Sequence, residues 1–238
     1  MKIKPLQWDT EFFGIKTGEL FVDSNPYIIL NSEEFDFIVG KQVKNFSFDI
    51  PGYTELFRET KVIFEKKLTA ENPGDFSNIK DSDIEVKKPQ FFSRLAYESG
   101  KYSRFLLDKM FGIEKFQKLY DEWILNSLNK KFAVKVFYIE DAGQGVGFVT
   151  VQQIGSVAKI GLIATDPLYQ GKGYGKKLLN YAENFVFQQG LTSMEIPTQK
   201  ENANACNFYE KMGYSIKKQL TIKHFWKNDS IQQTLLNR

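Results

Sequence analysis

Residues 166–189 read DPLYQGKGYGKKLLNYAENFVFQQ, a glycine-rich turn that runs directly into an amphipathic helix. The preceding segment, residues 159–165, is short, mostly apolar and typical of a buried strand. A strand, a glycine turn and a helix in this order leave backbone N–H groups free at the helix N-terminus, where an anion binds. The apolar face of the helix is built from residues at helical spacing: Leu178, Leu179, Ala182, Phe185 and Val186.

The glycines of the turn favour close approach of a ligand to those amides. Gly171, Gly173 and Gly175 place no side chain between the amides and an anion, and Lys172 adds positive charge. We therefore expect a pyrophosphate cradle, and the alternative is an ordinary strand-to-helix turn that contains glycines. The P-loop spacing GxxxxGK[ST] is absent, and Lys176 occupies the third glycine position of a dinucleotide fingerprint.

Composition limits the class of protein. The 238 residues are 42% hydrophobic and 15% aromatic, with a formal net charge of +3 and interleaved acids and bases. We expect a packed core, no nucleic-acid partner and no membrane partner, because no apolar run approaches a span and no signal peptide is evident. The single cysteine and single histidine exclude a disulfide framework and leave little for a metal site. The expected location is the cytoplasm.

The chain divides by composition into two predicted units. Residues 1–83 contain short alternating apolar segments and form a small strand-rich unit, with residues 70–83 as a polar linker. Residues 84–238 form the second unit. Its predicted strands are residues 132–139, 146–153, 159–165 and 192–196, and residues 214–226 are predicted to be a hairpin or a long strand pair.

A second motif follows the glycine turn after one predicted strand. It reads Asn202-x-x-Ala205-x-x-Phe208-Tyr209-x-x-Met212-Gly213-Tyr214, and with Gln170-x-x-Gly173-x-Gly175 it resembles the GNAT superfamily of N-acetyltransferases. The resemblance covers residues 84–226. It implies an α/β (α+β) fold, with a mixed, mostly antiparallel sheet, splayed central strands and flanking helices, beside a small N-terminal α/β domain.

Further segments resemble one GNAT branch, the nucleotide-sugar N-acetyltransferases of the dTDP-fucosamine type. The branch implies an acceptor that is a dTDP-4-amino-4,6-dideoxyhexose, a role in lipopolysaccharide biosynthesis, and a homodimer as a common arrangement. The matching segments are Trp8 to Gly14, Tyr102 to Phe105, Leu119 to Ile124, Thr198-Gln199 and His224 to Trp226.

The resemblance implies acetyl-CoA as the co-substrate and assigns its contacts. Backbone groups of Ile163, Ala164 and Thr165 are expected to pair with the pantetheine arm, and Asn202 is expected to bind the arm or its phosphate. The pyrophosphate is expected on the amides of the glycine turn, contributed by Gln170, Gly171, Lys172, Gly173, Tyr174 and Gly175.

The resemblance also implies direct attack by the acceptor amine, with Tyr209 as general acid. A phenol with an ordinary pKa of about 10 can protonate a thiolate whose thiol has a pKa of about 8.5. The alternative for Tyr209 is packing beside Phe208. No base is evident, because residues 159–165 contain no carboxylate. His224 is a candidate for the base or for an acceptor contact, and a structural histidine is the alternative.

The acceptor pocket is expected between the two units. Arg94 and Arg104 are candidates for the diphosphate, and Tyr102 or Trp8 is a candidate for stacking on the base or the sugar, as are Phe12 and Phe13. Two other functions stay open. One is acetylation of a protein N-terminus, a lysine or a polyamine, and the other is a CoA-binding module without turnover.

Overall fold

The computed structural model describes residues 1–23, 29–44, 46–82 and 90–236. Ten strands lie in these ranges: β1 (Lys4–Pro5), β2 (Thr17–Val22), β3 (Phe37–Gln42), β4 (Tyr53–Lys67), β5 (Ile79–Asp81), β6 (Lys135–Asp141), β7 (Gln144–Ile154), β8 (Val157–Thr165), β9 (Ser193–Gln199) and β10 (Ser215–Lys227). The helices are α1 (Gln7–Phe13), α2 (Gln90–Ser99), α3 (Arg104–Leu107), α4 (Gly112–Leu128), α5 (Tyr174–Gln188), α6 (Ala203–Lys211) and α7 (Asn228–Leu236).

The strands form one sheet in the order β1-β2-β3-β10-β4-β9-β8-β7-β6-β5. Two neighbouring pairs, β2 with β3 and β8 with β9, are parallel, and the other seven are antiparallel. Alternation along the strands sends apolar side chains to both faces of the sheet. Helices α2 and α4 cover one face, and α5 and α6 cover the other. The structure confirms the predicted fold class.

The glycine turn and its helix form as expected. Strand β8 precedes the turn, and α5 buries Leu178, Leu179, Ala182 and Val186 against the sheet. Just beyond the helix, Gly190 has a φ of 78°. A left-handed residue at this position is favourable for glycine because it has no Cβ.

The prediction for residues 214–226 is wrong in one respect. The segment is not a hairpin or a strand pair but the single strand β10, which pairs with β3 on one side and β4 on the other. The physical reason is visible in the sequence, since residues 215–227 contain no glycine, proline, asparagine or aspartate to form a turn.

The predicted linker, residues 70–83, contains ordered structure where it is described. Strand β5 adds to the edge of β6, and the Asn72 amide donates to Asn184 Oδ1 of α5 at 2.6 Å. The proposed boundary at residues 83 and 84 lies outside the described residues. The division into two units therefore stays a prediction, and the sheet that both units share is the structural fact that bears on it.

Candidate active site

Strands β8 and β9 separate soon after they meet. Their register covers only two residue pairs, Ala158 with Met194 and Lys159 with Glu195. Beyond them, residues 160–165 of β8 and 196–199 of β9 line a cavity of about 1090 Å³. This is the splay expected for the fold. Backbone groups along such a gap are available to an extended ligand that adds as a strand, and Ile163, Ala164 and Thr165 lie there.

The cavity has two sides, which differ in chemistry. We name the donor side, after the expected acetyl-CoA, the part that is lined by residues of β8, β9, α5, α6 and the turns before the two helices. We name the acceptor side, after the expected amine, the part that is lined by residues of α1, β3, β4, α2, α3 and α4, together with the turn between α2 and α3. Two molecules bound one on each side would therefore lie in a single cavity.

The glycine turn forms the end of the donor side nearest α5. Gly171 and Gly173 have φ values of 80° and 83°, the left-handed region that disfavours residues with a Cβ. Gly173 is the N-cap of α5 and supplies no side chain, and the first backbone bond of the helix runs from the Lys177 amide to the Gly173 carbonyl at 3.0 Å. The first amides of α5 therefore lack a side-chain cap, which suits an anion.

Gln170, Tyr174 and Gly175 also line the donor side. Gln170 Nε2 donates to the Thr165 carbonyl at 3.2 Å, which ties the turn to the end of β8. Lys172 differs, because it borders a second cleft of about 320 Å³ rather than the main cavity, with Nζ 4.5 Å from the centroid of the Tyr169 ring. The contact of Lys172 with the pyrophosphate stays a prediction.

Tyr209 lies near the C-terminal end of α6, lines the cavity and is 5% exposed. The centroid of its ring lies 5.6 Å from that of Phe64 and 6.2 Å from that of Tyr214. Burial, with a smaller contribution from Cys206, raises the pKa of Tyr209 above its ordinary value. The phenol therefore keeps its proton at neutral pH, as a general acid must.

Asn202 lines the cavity and caps α6. Its Oδ1 accepts a hydrogen bond from the Ala205 amide at 3.2 Å. The cap orients the first turn of the helix that carries Tyr209. The amide side chain keeps its Nδ2 donors in addition to this cap, so one residue can hold the helix start and meet a ligand.

Register places three charged side chains together on the acceptor side. Lys41 of β3 and Glu59 of β4 both lie opposite Ile222 of β10, and Lys61 lies opposite Leu220. Directly opposed residues point to the same face of a sheet, and so do residues two apart on one strand. Lys41, Glu59 and Lys61 therefore share one face, and all three line the cavity.

Helix α3 adds a further charged side chain. Ser103 caps this helix through a 3.3 Å hydrogen bond from the Phe105 amide, and Arg104 follows it into the cavity. Trp8 of α1 is 45% exposed on the same side and stacks on Phe12 with centroids 4.7 Å apart.

The charges on the acceptor side influence one another. Burial raises the pKa of Glu59 to about 7, although Arg104 and Lys61 act to lower it. Burial, and then the positive charge of Arg104, lowers the pKa of Lys61. Within the described ranges neither Lys61 nor Arg104 forms an ion pair. In the described part of the chain, Lys61 and Arg104 thus face the cavity as unpaired cations beside the buried carboxyl group of Glu59.

The structure corrects the expectation for Arg94. This side chain pairs with Asp166 and donates to the Gly145 carbonyl at 3.0 Å, and it does not line the cavity. Burial acts to raise the pKa of Asp166, but the hydrogen bond from the Leu168 amide and the pairing with Arg94 outweigh it and lower that pKa. Arg94 therefore braces the start of the glycine turn.

His224 and Tyr102 also lie outside the cavity lining. His224 is fully buried, and its Nδ1 lies 2.6 Å from Asp108 Oδ2, the oxygen that also accepts from Trp226 Nε1 at 2.9 Å. Burial lowers the pKa of His224 to about 4, against the opposing effect of Asp108. His224 is therefore a structural residue, which corrects the expectation that it acts as a base or acceptor contact.

Residues 102–214 match the Acetyltransferase (GNAT) family. The chain carries a GNAT acetyltransferase domain. It is an acetyl-CoA-dependent acetyltransferase, with acetyl-CoA as co-substrate. The geometry fits this donor, since a strand gap and uncapped helix amides line one cavity. Within the described ranges every helix is too short or too polar to cross a membrane. The cytoplasmic location and the homodimer stay predictions.

The chain is similar to one relative over most of its length and to two solved structures in its fold. It is 19% identical to dTDP-fucosamine acetyltransferase of Escherichia coli O6:H1 over 219 residues, which cover 90% of this chain and 93% of that protein. A GNAT-family acetyltransferase structure from Novosphingobium aromaticivorans superposes with a TM-score of 0.56 at 13% identity, covering 81% of this chain and 75% of that chain.

The third likeness is to the PaiA N-acetyltransferase of Thermoplasma acidophilum, solved in complex with coenzyme A. Its TM-score is 0.50 at 20% identity, over 61% of this chain and 97% of that chain. At these identities both structural matches speak for the GNAT fold alone. The acceptor of this chain has to be argued from its own cavity.

Proposed function

We propose that this GNAT enzyme transfers acetyl from acetyl-CoA to the primary amine of a nucleotide-linked amino sugar, of the dTDP-4-amino-4,6-dideoxyhexose type. The observation that carries the proposal is the acceptor side of the cavity, which is lined by the cations Lys61 and Arg104 and by the exposed ring of Trp8. A diphosphate, a planar base and an amine are the three groups that such a lining can recognise together.

The diphosphate is assigned to the two cations. A guanidinium presents a fork of donors that matches phosphate oxygens, and a lysine supplies a compact positive charge. Arg104 and Lys61 lie close enough for the charge of one to lower the pKa of the other. Such mutual repulsion is relieved when an anion binds between the cations.

The nucleobase of the acceptor is assigned to the ring of Trp8. Its ring is already backed by Phe12, so a nucleobase stacking on the open face would complete a layered aromatic arrangement. Asp9, the next residue of α1, lines the same cavity, and burial raises its pKa. The similarity to dTDP-fucosamine acetyltransferase supports the same acceptor class, because it runs through both halves of the chain.

On the donor side, the amides at the start of α5 are proposed to hold the pyrophosphate and the edge of β8 to hold the pantetheine arm. Tyr209 is proposed as the general acid that protonates the departing thiolate. Burial keeps its phenol protonated, and the cavity brings it to the donor. Asn202 is proposed to bind the arm while it caps α6.

A polyamine is the second candidate acceptor. Asp9, Glu59 and Glu98 give the acceptor side three carboxyl groups, which suit an oligocation. Glu98 is already paired with Lys101, and burial raises the pKa of Glu59 to about 7, so part of the negative charge of Glu59 is absent at neutral pH. The balance of charge therefore favours the nucleotide sugar.

The test is thiol release from acetyl-CoA with a panel of acceptors: dTDP-amino sugars, spermidine and a peptide with a free N-terminus. We expect turnover with a dTDP-amino sugar, and a product heavier by one acetyl group in mass spectrometry. Arg104→Gln should raise KM for the sugar about 10-fold or more through the lost charge-assisted bonds, with KM for acetyl-CoA unchanged.

Arg58→Gln is the matched control, because Arg58 lies on β4 near the same residues but pairs with Glu55 outside the cavity lining. Its KM values should equal those of the wild type. Turnover only with the peptide or spermidine would overturn the acceptor assignment. An unchanged KM in Arg104→Gln would remove Arg104 from the diphosphate site.

A further inference from the structure

The acceptor amine must lose a proton before it can attack. An aliphatic ammonium group is largely protonated at neutral pH and then has no lone pair. The central strand β8 contains no carboxylate, and His224 is buried away from the cavity. A side chain that accepts this proton therefore has to come from an element other than β8.

Glu59 is placed to meet such a proton. It is 5% exposed and lines the cavity from β4. Its Oε2 is buried and has no hydrogen-bond partner among the described residues. Five buried side-chain atoms share that condition in the described ranges, and Glu59 is the one residue of the five that lines this cavity. A buried carboxyl oxygen without a partner is costly, so an arriving N–H donor would satisfy it.

We propose that Glu59 is the general base of the transfer, accepting a proton from the ammonium group of the acceptor. The assignment rests on the proposed function only in that the acceptor is an amine on this side of the cavity. Three charged side chains act on Glu59, namely Lys61 on β4, Arg104 on α3 and Glu201 before α6. Glu59 in turn acts on the neutral phenol of Tyr120 on α4, and Lys41 on β3 lines the same cavity.

The protonation state of Glu59 fits the task. Burial raises its pKa to about 7, with Arg104 and Lys61 acting to lower it and Glu201 acting to raise it. A base whose pKa lies near the working pH combines a useful ionised fraction with enough proton affinity. A carboxylate with an ordinary pKa of about 4.3 would be ionised but far less basic.

The reaction balances with the residues named. Glu59 takes one proton from the ammonium group, and the freed lone pair forms the C–N bond to the thioester carbonyl carbon. The C–S bond breaks with its electron pair on sulfur, and Tyr209 gives that sulfur its proton. The second proton lost from nitrogen restores the phenol through solvent. Glu59 releases its proton to water, so one proton is released per turnover.

The test is the pH profile of kcat/KM for Glu59→Gln, measured with the panel amine that the wild type acetylates fastest. The wild-type profile should rise up to about pH 7 and level off above it. The variant should lose about 10²- to 10⁴-fold at pH 7. Its rate should rise about tenfold per pH unit towards the pKa of the amine, because only neutral amine then reacts. Glu59→Asp should still level off, at reduced activity.

Glu65→Gln is the control on the same strand, since Glu65 pairs with Lys217 and does not line the cavity. Unchanged affinity of Glu59→Gln for coenzyme A shows that the variant is folded. The proposal is overturned if the profile of the variant also levels off near pH 7, if the variant changes only KM for the acceptor, or if the wild-type profile does not level off there. Failure of every nucleotide sugar in the panel would contradict the proposed function instead.

Discussion

Burial shifts the pKa values of three side chains of this enzyme, and these shifts decide which form of each side chain is present at pH 7. It raises the pKa of Glu59 to about 7 and lowers that of His224 to about 4, and it raises that of Tyr209. Each shift favours the neutral form, as removal from water must. At pH 7 the histidine is neutral inside the core, the phenol holds its proton, and the carboxyl group is divided between its two forms.

Tyr209→Phe tests the phenol at this scale. The variant keeps the ring that packs on Phe64 and removes only the hydroxyl. We expect kcat to fall about 10²- to 10⁴-fold, since the thiolate loses its proton donor, with little change in the affinity for coenzyme A. Steady-state thiol release and calorimetric titration with coenzyme A measure the two quantities.

Tyr97→Phe is its matched control, because Tyr97 donates to Asp121 at 2.6 Å and does not line the cavity. It should retain kcat. Equal kcat in Tyr209→Phe and the wild type would show that another group, or solvent, protonates the sulfur.

The candidate site divides into residues that a local motif predicts and residues that it cannot. Asn202 and Tyr209 belong to one continuous pattern of helical spacing, so the sequence alone places them on one helix. Glu59 lies about 150 residues earlier, and its position depends on the register of β4 against β10. The alternation of Val62 and Phe64 was the available signal, since it puts Glu59 and Lys61 on the opposite face.

At the scale of elements, the strand, glycine turn and helix were predictable because their signals are local. The long strand β10 was not, because its neighbours β3 and β4 come from the distant N-terminal part of the chain.

Two glycines at opposite ends of α5 have different roles. Gly173 starts α5 and Gly190 follows its end, both with φ near 80°, but only Gly173 lines the cavity.

Gly173→Ala and Gly190→Ala therefore form a matched pair. Each places a Cβ on left-handed backbone, which costs about 1–2 kcal/mol, and neither Cβ meets another atom within 4 Å. We expect similar losses of stability in urea unfolding. Only Gly173→Ala should weaken coenzyme A binding, by about 10-fold or more, since its methyl group and altered amides face the pyrophosphate. Equal affinities in the two variants would contradict the cradle.

At the scale of the whole molecule, one sheet joins the two predicted units. Strand β10 lies between β3 and β4, and β4 lies between β10 and β9. The acceptor side takes Lys41, Glu59 and Lys61 from residues before the predicted boundary, while the donor side comes from residues after it. If the chain has two units, the sheet makes them depend on each other for both stability and the site.

A fragment of residues 84–238 tests that dependence. Without β3 and β4, both edges of β10 and one edge of β9 lose their partners. The lost core side chains include Val62, Phe64 and Leu68, each at most 4% exposed. At about 1.5–3 kcal/mol for each buried side chain, this loss is comparable with the whole stability of a typical domain, about 5–15 kcal/mol. We expect no cooperative thermal transition and no measurable affinity for coenzyme A.

A full chain cleaved at a protease site inserted between residues 82 and 90 is the control, because it keeps every strand. It should melt cooperatively and bind coenzyme A. Cooperative melting and full affinity of the fragment alone would instead show that residues 84–238 are an independent unit.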